Sequence, residues 1–181
     1  MIVCETPRLR LRHLAPTDAA FILELLNEPD FIRNIGDREV RTLRDAQHYI
    51  NTGPIASYVR HGFGLYLVET REDAASIGMC GLLKRDYLED VDVGFALHAA
   101  FRGRGYAVEA ASAVMRYGRE ALGLGRIVAI TSADNQASIK VLRQLGLEFE
   151  RMIQVPGPRA ADQTRDTRLF TPRGTKLALD L

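Results

Sequence analysis

The chain has 181 residues, of which 46% are hydrophobic and 26% charged, and these values are typical of a globular protein with its own apolar core. Lys and Arg number 24 against 23 Asp and Glu, and this net charge of +1 excludes bulk attraction to nucleic acid or an anionic membrane. The longest apolar run is the five residues Ala19–Leu23, far short of the roughly 20 that cross a bilayer.

The cysteines and the first residues indicate a compartment. Cys4 and Cys80 are too few for a disulfide framework, and Met1–Glu5 lacks the basic region and apolar segment of a secretory signal. We therefore expect a cytoplasmic protein. Four histidines are too scattered to form a metal cluster with the cysteines, so no metal is expected. No repeat or linker divides the sequence, which predicts one domain over residues 1–181.

The first third of the chain predicts one strand and two helices. Alternating Arg and Leu from Arg8 to His13 indicate a strand at or near a sheet edge, with one buried face. A helix begins after Pro16-Thr17-Asp18 and ends at Pro29. Thr42 caps a second helix, which Gly53-Pro54 interrupts before a short helix resumes.

The middle of the chain predicts a meander followed by a crossover. Strands over 62–68, 77–83 and 91–97 are expected to pair antiparallel. The longest helix runs from Gly105 to Leu122, and the strand after it, Arg126–Thr131, has the continuous apolar run of a parallel strand. The last meander strand, this helix and this strand form a right-handed βαβ unit.

The end of the chain predicts a helix over 136–145 and strands near 149–155 and 167–171, the last two joined by a loop over 156–165. The fold class is therefore mixed α/β with one parallel pair of strands crossed by a helix.

The most informative segment is the loop Phe101-Arg102-Gly103-Arg104-Gly105, which leads into the long helix. Backbone N–H groups in the first turn of a helix are free and carry the positive end of its dipole, and glycine lets a phosphate approach them closely. Arg102 and Arg104 would add charge at the rim. Neither the Walker pattern nor Gly-x-Gly-x-x-Gly is present. Taken alone, the loop also fits a plain strand-to-helix turn with solvated arginines.

Four segments together resemble the GNAT N-acetyltransferases. Arg102-x-x-Gly105-x-Ala107 is similar to the loop that holds the pyrophosphate of acetyl-CoA in that family, and Thr6-Pro7-Arg8-Leu9-Arg10-Leu11-Arg12 resembles the opening of its RimJ/RimL branch. Asp92-Val93-Gly94-Phe95 resembles the strand before the loop, and Asn135-x-x-Ser138-x3-Leu142-x3-Gly146 the helix beside the pantetheine arm. The resemblance implies a GNAT-like, mostly antiparallel sheet of six to seven strands with helices on both faces.

The resemblance also implies an activity. It indicates an acetyl-CoA-dependent N-acetyltransferase that transfers acetyl directly to a primary amine in a ternary complex, without a metal. The RimJ/RimL branch acetylates protein N-terminal α-amines, and small-molecule amines are an alternative. A second alternative is a module that binds acyl-CoA without turnover. Neither nucleic acid nor a membrane is expected as a partner. Relatives commonly form homodimers, but no segment of this sequence identifies an interface.

The resemblance further implies a site. The residues expected to contact the coenzyme are Phe95, Ala96, Leu97, Arg102, Gly103, Arg104, Gly105, Tyr106, Ala107, Asn135 and Ser138. Asp92 stands near the position of a base that removes the amine proton, and Ser138 matches a serine near the sulfur. Leu142 occupies the position at which many GNAT enzymes have an acidic Tyr.

Each assignment has a structural alternative. Asp92 could be a surface carboxylate near the turn that precedes it, Ser138 a plain helix residue, and Asn135 a helix cap. Cys80 is expected to be a buried apolar residue rather than an acyl carrier, and His98 a half-exposed structural residue. The segment Asn34–Arg38 could line an acceptor pocket or be a simple polar loop.

Overall fold

The structure is a computed structural model and describes residues 1–156 and 164–174. Within them, the strands are β1 Ile2–Glu5, β2 Leu9–His13, β3 Leu65–Thr70, β4 Ser76–Leu83, β5 Val91–Leu97, β6 Ile127–Thr131, β7 Leu147–Pro156 and β8 Thr164–Pro172. The α-helices are α1 Ala19–Leu26, α2 Pro29–Asn34, α3 Leu43–Ile50, α4 Ala56–His61, α5 Tyr106–Glu120 and α6 Gln136–Gln144. Most of the expected loop between the last two strands lies outside the described residues.

The strands form one sheet in the order β1-β2-β3-β4-β5-β6-β8-β7. All neighbours are antiparallel except β5 and β6. This confirms the mixed fold, the meander β3–β4–β5 and the single parallel pair. The sheet has eight strands rather than six to seven, because β1 pairs with β2 and makes β2 the second strand from the edge.

Helices cover both faces of this sheet. On one face α5 and α6 pack on side chains such as Val68 and Cys80, and on the other α1 and α3 pack on Leu67 and Met79. Side chains of adjacent strand residues point to opposite faces, so Leu67 and Val68 belong to different cores. The expectation of helices on both faces is confirmed.

Local signals explain most helix boundaries. Thr42 caps α3, since its Oγ1 accepts a hydrogen bond from the Asp45 N–H at 3.1 Å and the Asp45 carboxylate accepts one from the Thr42 N–H at 2.9 Å. A π turn over Asn51–Ile55, which contains the expected interruption, joins α3 to α4. The sequence predicts only that Pro29 ends a helix, but Pro29 also begins α2, because proline fits the first helical position.

Among the described residues, no helix combines the length and apolar character that a bilayer crossing requires. No group of three or more His, Cys, Asp or Glu side chains in residues 1–156 and 164–174 is placed to hold a metal ion. Cys4 is half-buried and Cys80 is buried, and both are free thiols.

Candidate active site

The sheet splits at its parallel pair. β5 and β6 pair only at Val91 with Ile127 and Asp92 with Val128, and β6 then pairs with β8 while β5 stays with β4. The edge of β5 beyond Asp92 therefore has no strand partner in the described part of the chain. Its backbone N–H and C=O groups can bind a ligand laid along the strand, as an added strand would.

The glycine loop lies at the end of this split. Gly103 and Gly105 have φ of +75° and +79°, a left-handed conformation that favours glycine, and α5 begins directly after them. No described protein group accepts a hydrogen bond from the N–H groups of residues 103–107. These donors and the positive end of the α5 dipole form a site for an anion.

Arg102 has partners other than the expected anion. Its guanidinium binds the carboxylates of Glu28 and Asp30, and its Nε donates to the Leu97 carbonyl at 2.9 Å. It therefore ties the glycine loop to the start of α2, and its charge is compensated. Arg104 does not line the cavity at the split; its guanidinium lies 5.8 Å from the centre of the Phe101 ring.

Arg8 holds the other side of the loop, a contact that the sequence pattern did not predict. Its Nε donates to Glu109 Oε2 at 2.7 Å, its Nη1 donates to the Arg104 carbonyl at 3.0 Å, and its guanidinium stacks 4.5 Å from the centre of the Tyr106 ring. Thr6 donates to the same carboxylate, through Oγ1 to Glu109 Oε1 at 2.6 Å. The chain before β2 thus fixes the first turn of α5.

Asn135 caps α6 and also faces the cavity. Its Oδ1 accepts a hydrogen bond from the Ser138 N–H at 3.1 Å, so the capping alternative is confirmed. The same side chain, together with Ser138, lines the cavity. Leu142, one turn further on, is buried, so it presents hydrocarbon at the position for which the family resemblance implied a tyrosine.

Asp92 is buried at the base of the split, with 1% of its surface exposed, so the surface-carboxylate alternative is wrong. The Arg85 Nε donates to its Oδ1 at 2.8 Å, and the Arg85 Nη1 donates to the Tyr87 hydroxyl at 3.2 Å. Burial raises the pKa of Asp92, whereas the charge and hydrogen bond of Arg85 lower it. Asp92, Arg85 and Tyr87 all line the cavity.

One cavity of about 1280 Å³ connects these features. It brings together every expected site residue except Arg104. It also reaches residues that carried no sequence signal, among them Tyr49 at the end of α3 and Arg60 in α4. Asn34, Ile35 and Arg38 lie on its wall, which supports the pocket interpretation of that segment. Pockets for one small molecule typically have roughly 300–1,000 Å³, so this cavity is larger than a site for a single small ligand needs.

His98 and Cys80 are absent from this wall. The His98 Nε2 lies 3.2 Å from Glu24 Oε1 and 3.4 Å from Glu28 Oε1, so the side chain connects β5 to α1. Cys80 is fully buried in the core beneath α5 and α6. The structural interpretations of both residues fit these positions.

Comparison with known proteins places these features in a family. The acetyltransferase (GNAT) domain family matches residues 8–148, which contain the split, the glycine loop and α6. The uncharacterized N-acetyltransferase YoaA of Bacillus subtilis (strain 168) is 28% identical over 154 residues, covering 84% of this chain and 86% of YoaA.

Two solved structures have the same fold. RimL, the ribosomal L7/L12 α-N-protein acetyltransferase in complex with coenzyme A, superposes with a TM-score of 0.80 at 18% identity over 94% of this chain and 97% of RimL. The microcin C7 self-immunity acetyltransferase MccE, in complex with acetyl-CoA and AMP, gives a TM-score of 0.77 at 16% identity over 92% of each chain. The family match and the split sheet agree, and the protein belongs to the GNAT acetyltransferase family.

Proposed function

We propose that the protein is an acetyl-CoA-dependent N-acetyltransferase that transfers the acetyl group directly to a primary amine bound beside it. The observation that carries the proposal is the split between β5 and β6, which runs from the free N–H groups of the glycine loop to the buried Asp92. The loop suits a pyrophosphate, and the free edge of β5 suits the amide groups of a pantetheine arm. RimL and MccE, which share the fold, were both solved with this type of coenzyme.

The chemistry requires two proton movements. Acetyl-CoA supplies an activated thioester; the acceptor nitrogen bonds to the acetyl carbon, the carbon–sulfur bond breaks, the nitrogen loses a proton and the sulfur gains one. We assign the first proton to the Asp92 carboxylate, directly or through one water, because burial makes it a stronger base than a solvated carboxylate. We assign the second to Ser138, whose side chain lies on the cavity wall one turn before Leu142.

The proposed acceptor is an α-amine, such as a protein N-terminus, rather than a lysine side chain. An α-amine with a pKa near 8 loses its proton far more readily than a lysine near 10.4, and only the neutral amine is a nucleophile. The shared fold with RimL, an α-N-protein acetyltransferase, supports this choice. A small molecule with an α-amino group meets the same requirement.

A module that binds acyl-CoA without turnover is the second candidate. Leu142 favours it, because a hydrocarbon cannot protonate the departing sulfur. Calorimetric titration with acetyl-CoA, followed by a thiol-release assay over peptides and small amines, separates the two candidates. We expect binding and release of CoA with at least one amine. Binding with no release on any amine would establish the module, and no binding would remove both proposals.

A further inference from the structure

One part of the cavity wall is strongly cationic. We call the cavity residues that precede β3, together with those of the β4–β5 turn, the acceptor wall. It carries five cationic side chains, which are Arg33, Arg38, Arg60, Lys84 and Arg85. The one carboxylate on this wall is Asp30, which pairs with Arg33 at 2.7 Å and also with Arg102, and Asp92 of β5 faces Arg85. The wall therefore has an excess of positive charge in a protein of net charge +1.

Two of these arginines are available to a ligand. Arg38 and Arg60 make no ion pair or hydrogen bond with any residue in the described ranges, whereas Arg33 and Arg85 are paired. Lys84 donates to two backbone carbonyls at 3.0 and 2.6 Å, which hold its Nζ without neutralising it. An unpaired guanidinium at a cavity wall is suited to bidentate binding of a carboxylate or phosphate.

Two of these positive charges lie near the same side chain on the wall. The phenol of Tyr49 is in the cavity, and the charges of Arg38 and Arg85 both act on it, although the two arginines are 47 residues apart in the chain. Arg85 also holds Asp92, the proposed base. The unpaired arginine Arg38 therefore shares a region of the cavity with the group that would receive the amine proton.

This arrangement selects among amines. A positive wall repels an acceptor whose only charge is its ammonium group, and a nearby anion on the acceptor reverses the sign of the interaction. Positive charge also favours the neutral form of a bound amine, which is the nucleophile. We propose that the acceptor carries a carboxylate or phosphate close to its primary amine and that Arg38 and Arg60 bind this anion. The proposal rests on the proposed function, since it names the substrate class of the same site.

The test compares acceptors that carry anionic groups with counterparts in which every such group is removed or replaced by an amide. The first pair is O-phosphoserine and serine amide, and the second is the peptide amide Ser-Asp-Asp-Ala and its neutral counterpart Ser-Asn-Asn-Ala. The thiol-release assay gives kcat/KM for each, and titration of the protein saturated with CoA gives the affinity for each anionic member. Both are repeated with the double variant Arg38→Gln/Arg60→Gln. The control is Arg44→Gln/Arg119→Gln, which removes the same charge from exposed residues outside the cavity.

We expect kcat/KM at least tenfold higher for the anionic member of one pair, and the responding pair identifies a small molecule or a peptide N-terminus. The Arg38/Arg60 variant should reduce this preference to about twofold and weaken binding of the anionic member about tenfold or more, with the KM for acetyl-CoA unchanged. The Arg44/Arg119 variant should behave as the wild type. Equal or better use of the neutral members, or no binding of either anionic probe, overturns the proposal. Acetyl-CoA binding without transfer to any amine refutes the proposed function instead, and the affinities for the probes then still decide whether the wall binds anions.

Discussion

Replacing Arg8 with Met tests how the glycine loop is held. The substitution removes an ion pair with Glu109 between side chains that are 48% and 18% exposed, worth about 0.5–1 kcal/mol. It also removes a charged hydrogen bond to the Arg104 carbonyl, worth about 1.5 kcal/mol, and a cation–π contact with Tyr106, worth about 0.5–1 kcal/mol. Because such contributions are not additive, we expect a loss of about 2 kcal/mol in unfolding free energy and a fall in Tm of about 4–8 °C.

About half of this loss in free energy comes from the contacts with Arg104 and Tyr106, which hold the glycine loop in place. A loss of 1 kcal/mol corresponds to roughly fivefold weaker binding of acetyl-CoA, measured by calorimetric titration. The matched control is Arg10→Met in β2; among the described residues its side chain pairs with Glu5 alone, at 2.9 Å, and both groups are 40% exposed. It should change stability by less than about 0.5 kcal/mol and leave binding unchanged. Wild-type affinity in Arg8→Met would refute the reasoning.

The same substitution has a pH signature. Burial acts to raise the pKa of Glu109, but hydrogen bonds from Thr6 and Arg8 outweigh it and lower this pKa below its ordinary value of 4.5. A carboxyl with a lowered pKa stabilises the fold fully above its unfolded value and loses that contribution as the pH falls through its folded pKa. The stability difference between wild type and Arg8→Met should therefore be constant at neutral pH and shrink below about pH 4.5. A difference that grows on acidification would contradict this assignment.

Three further substitutions test other parts of the site. Gly105→Glu places a side chain and a negative charge at a left-handed residue of the loop and should weaken acetyl-CoA binding about tenfold or more, whereas Gly123→Glu, with φ of +67° beyond the far end of α5, should not. Asp92→Asn should lower kcat/KM mainly at low pH, where the amine most needs a base; an equal reduction at every pH would remove Asp92 from that role. Cys80→Ala should lose about 1 kcal/mol of stability but keep kcat within twofold, and a burst of acetylated Cys80 in wild type would contradict direct transfer.

The sequence predicted the elements whose signals are local. Alternation, continuous apolar runs and the Thr42 cap identify strands and helices because they depend on neighbours within a few residues. β1 was missed because four half-exposed or exposed residues show no clean alternation. α2 was missed because Pro29 signals both the end of one helix and the first turn of another.

The candidate site also has features that the sequence predicts and features that only the tertiary structure shows. The glycine loop and the Asn135 cap could be predicted, since the backbone conformation of a short segment follows from its residues. The carboxylate partners of Arg102 are about 70 residues away in the chain, and the partners of Arg8 are about 100 away, so only the tertiary structure shows that both arginines hold the loop. The acceptor wall is assembled from three separate segments, and no single one of them has an unusual charge.

The short ladder between β5 and β6 has a consequence for the lifetime of the protein. In the part of the chain that the structure describes, two paired positions form the ladder that joins the first five strands to the last three. A coenzyme that hydrogen-bonds to β5 and packs against α6 bridges the two halves, and a ligand present at 100 times its Kd stabilises a fold by about 2.7 kcal/mol. The cellular concentration of the coenzyme would then control how often the unit β6–β8–β7 opens to proteases. Starvation for acetyl-CoA would shorten the half-life of the protein in addition to slowing its catalysis.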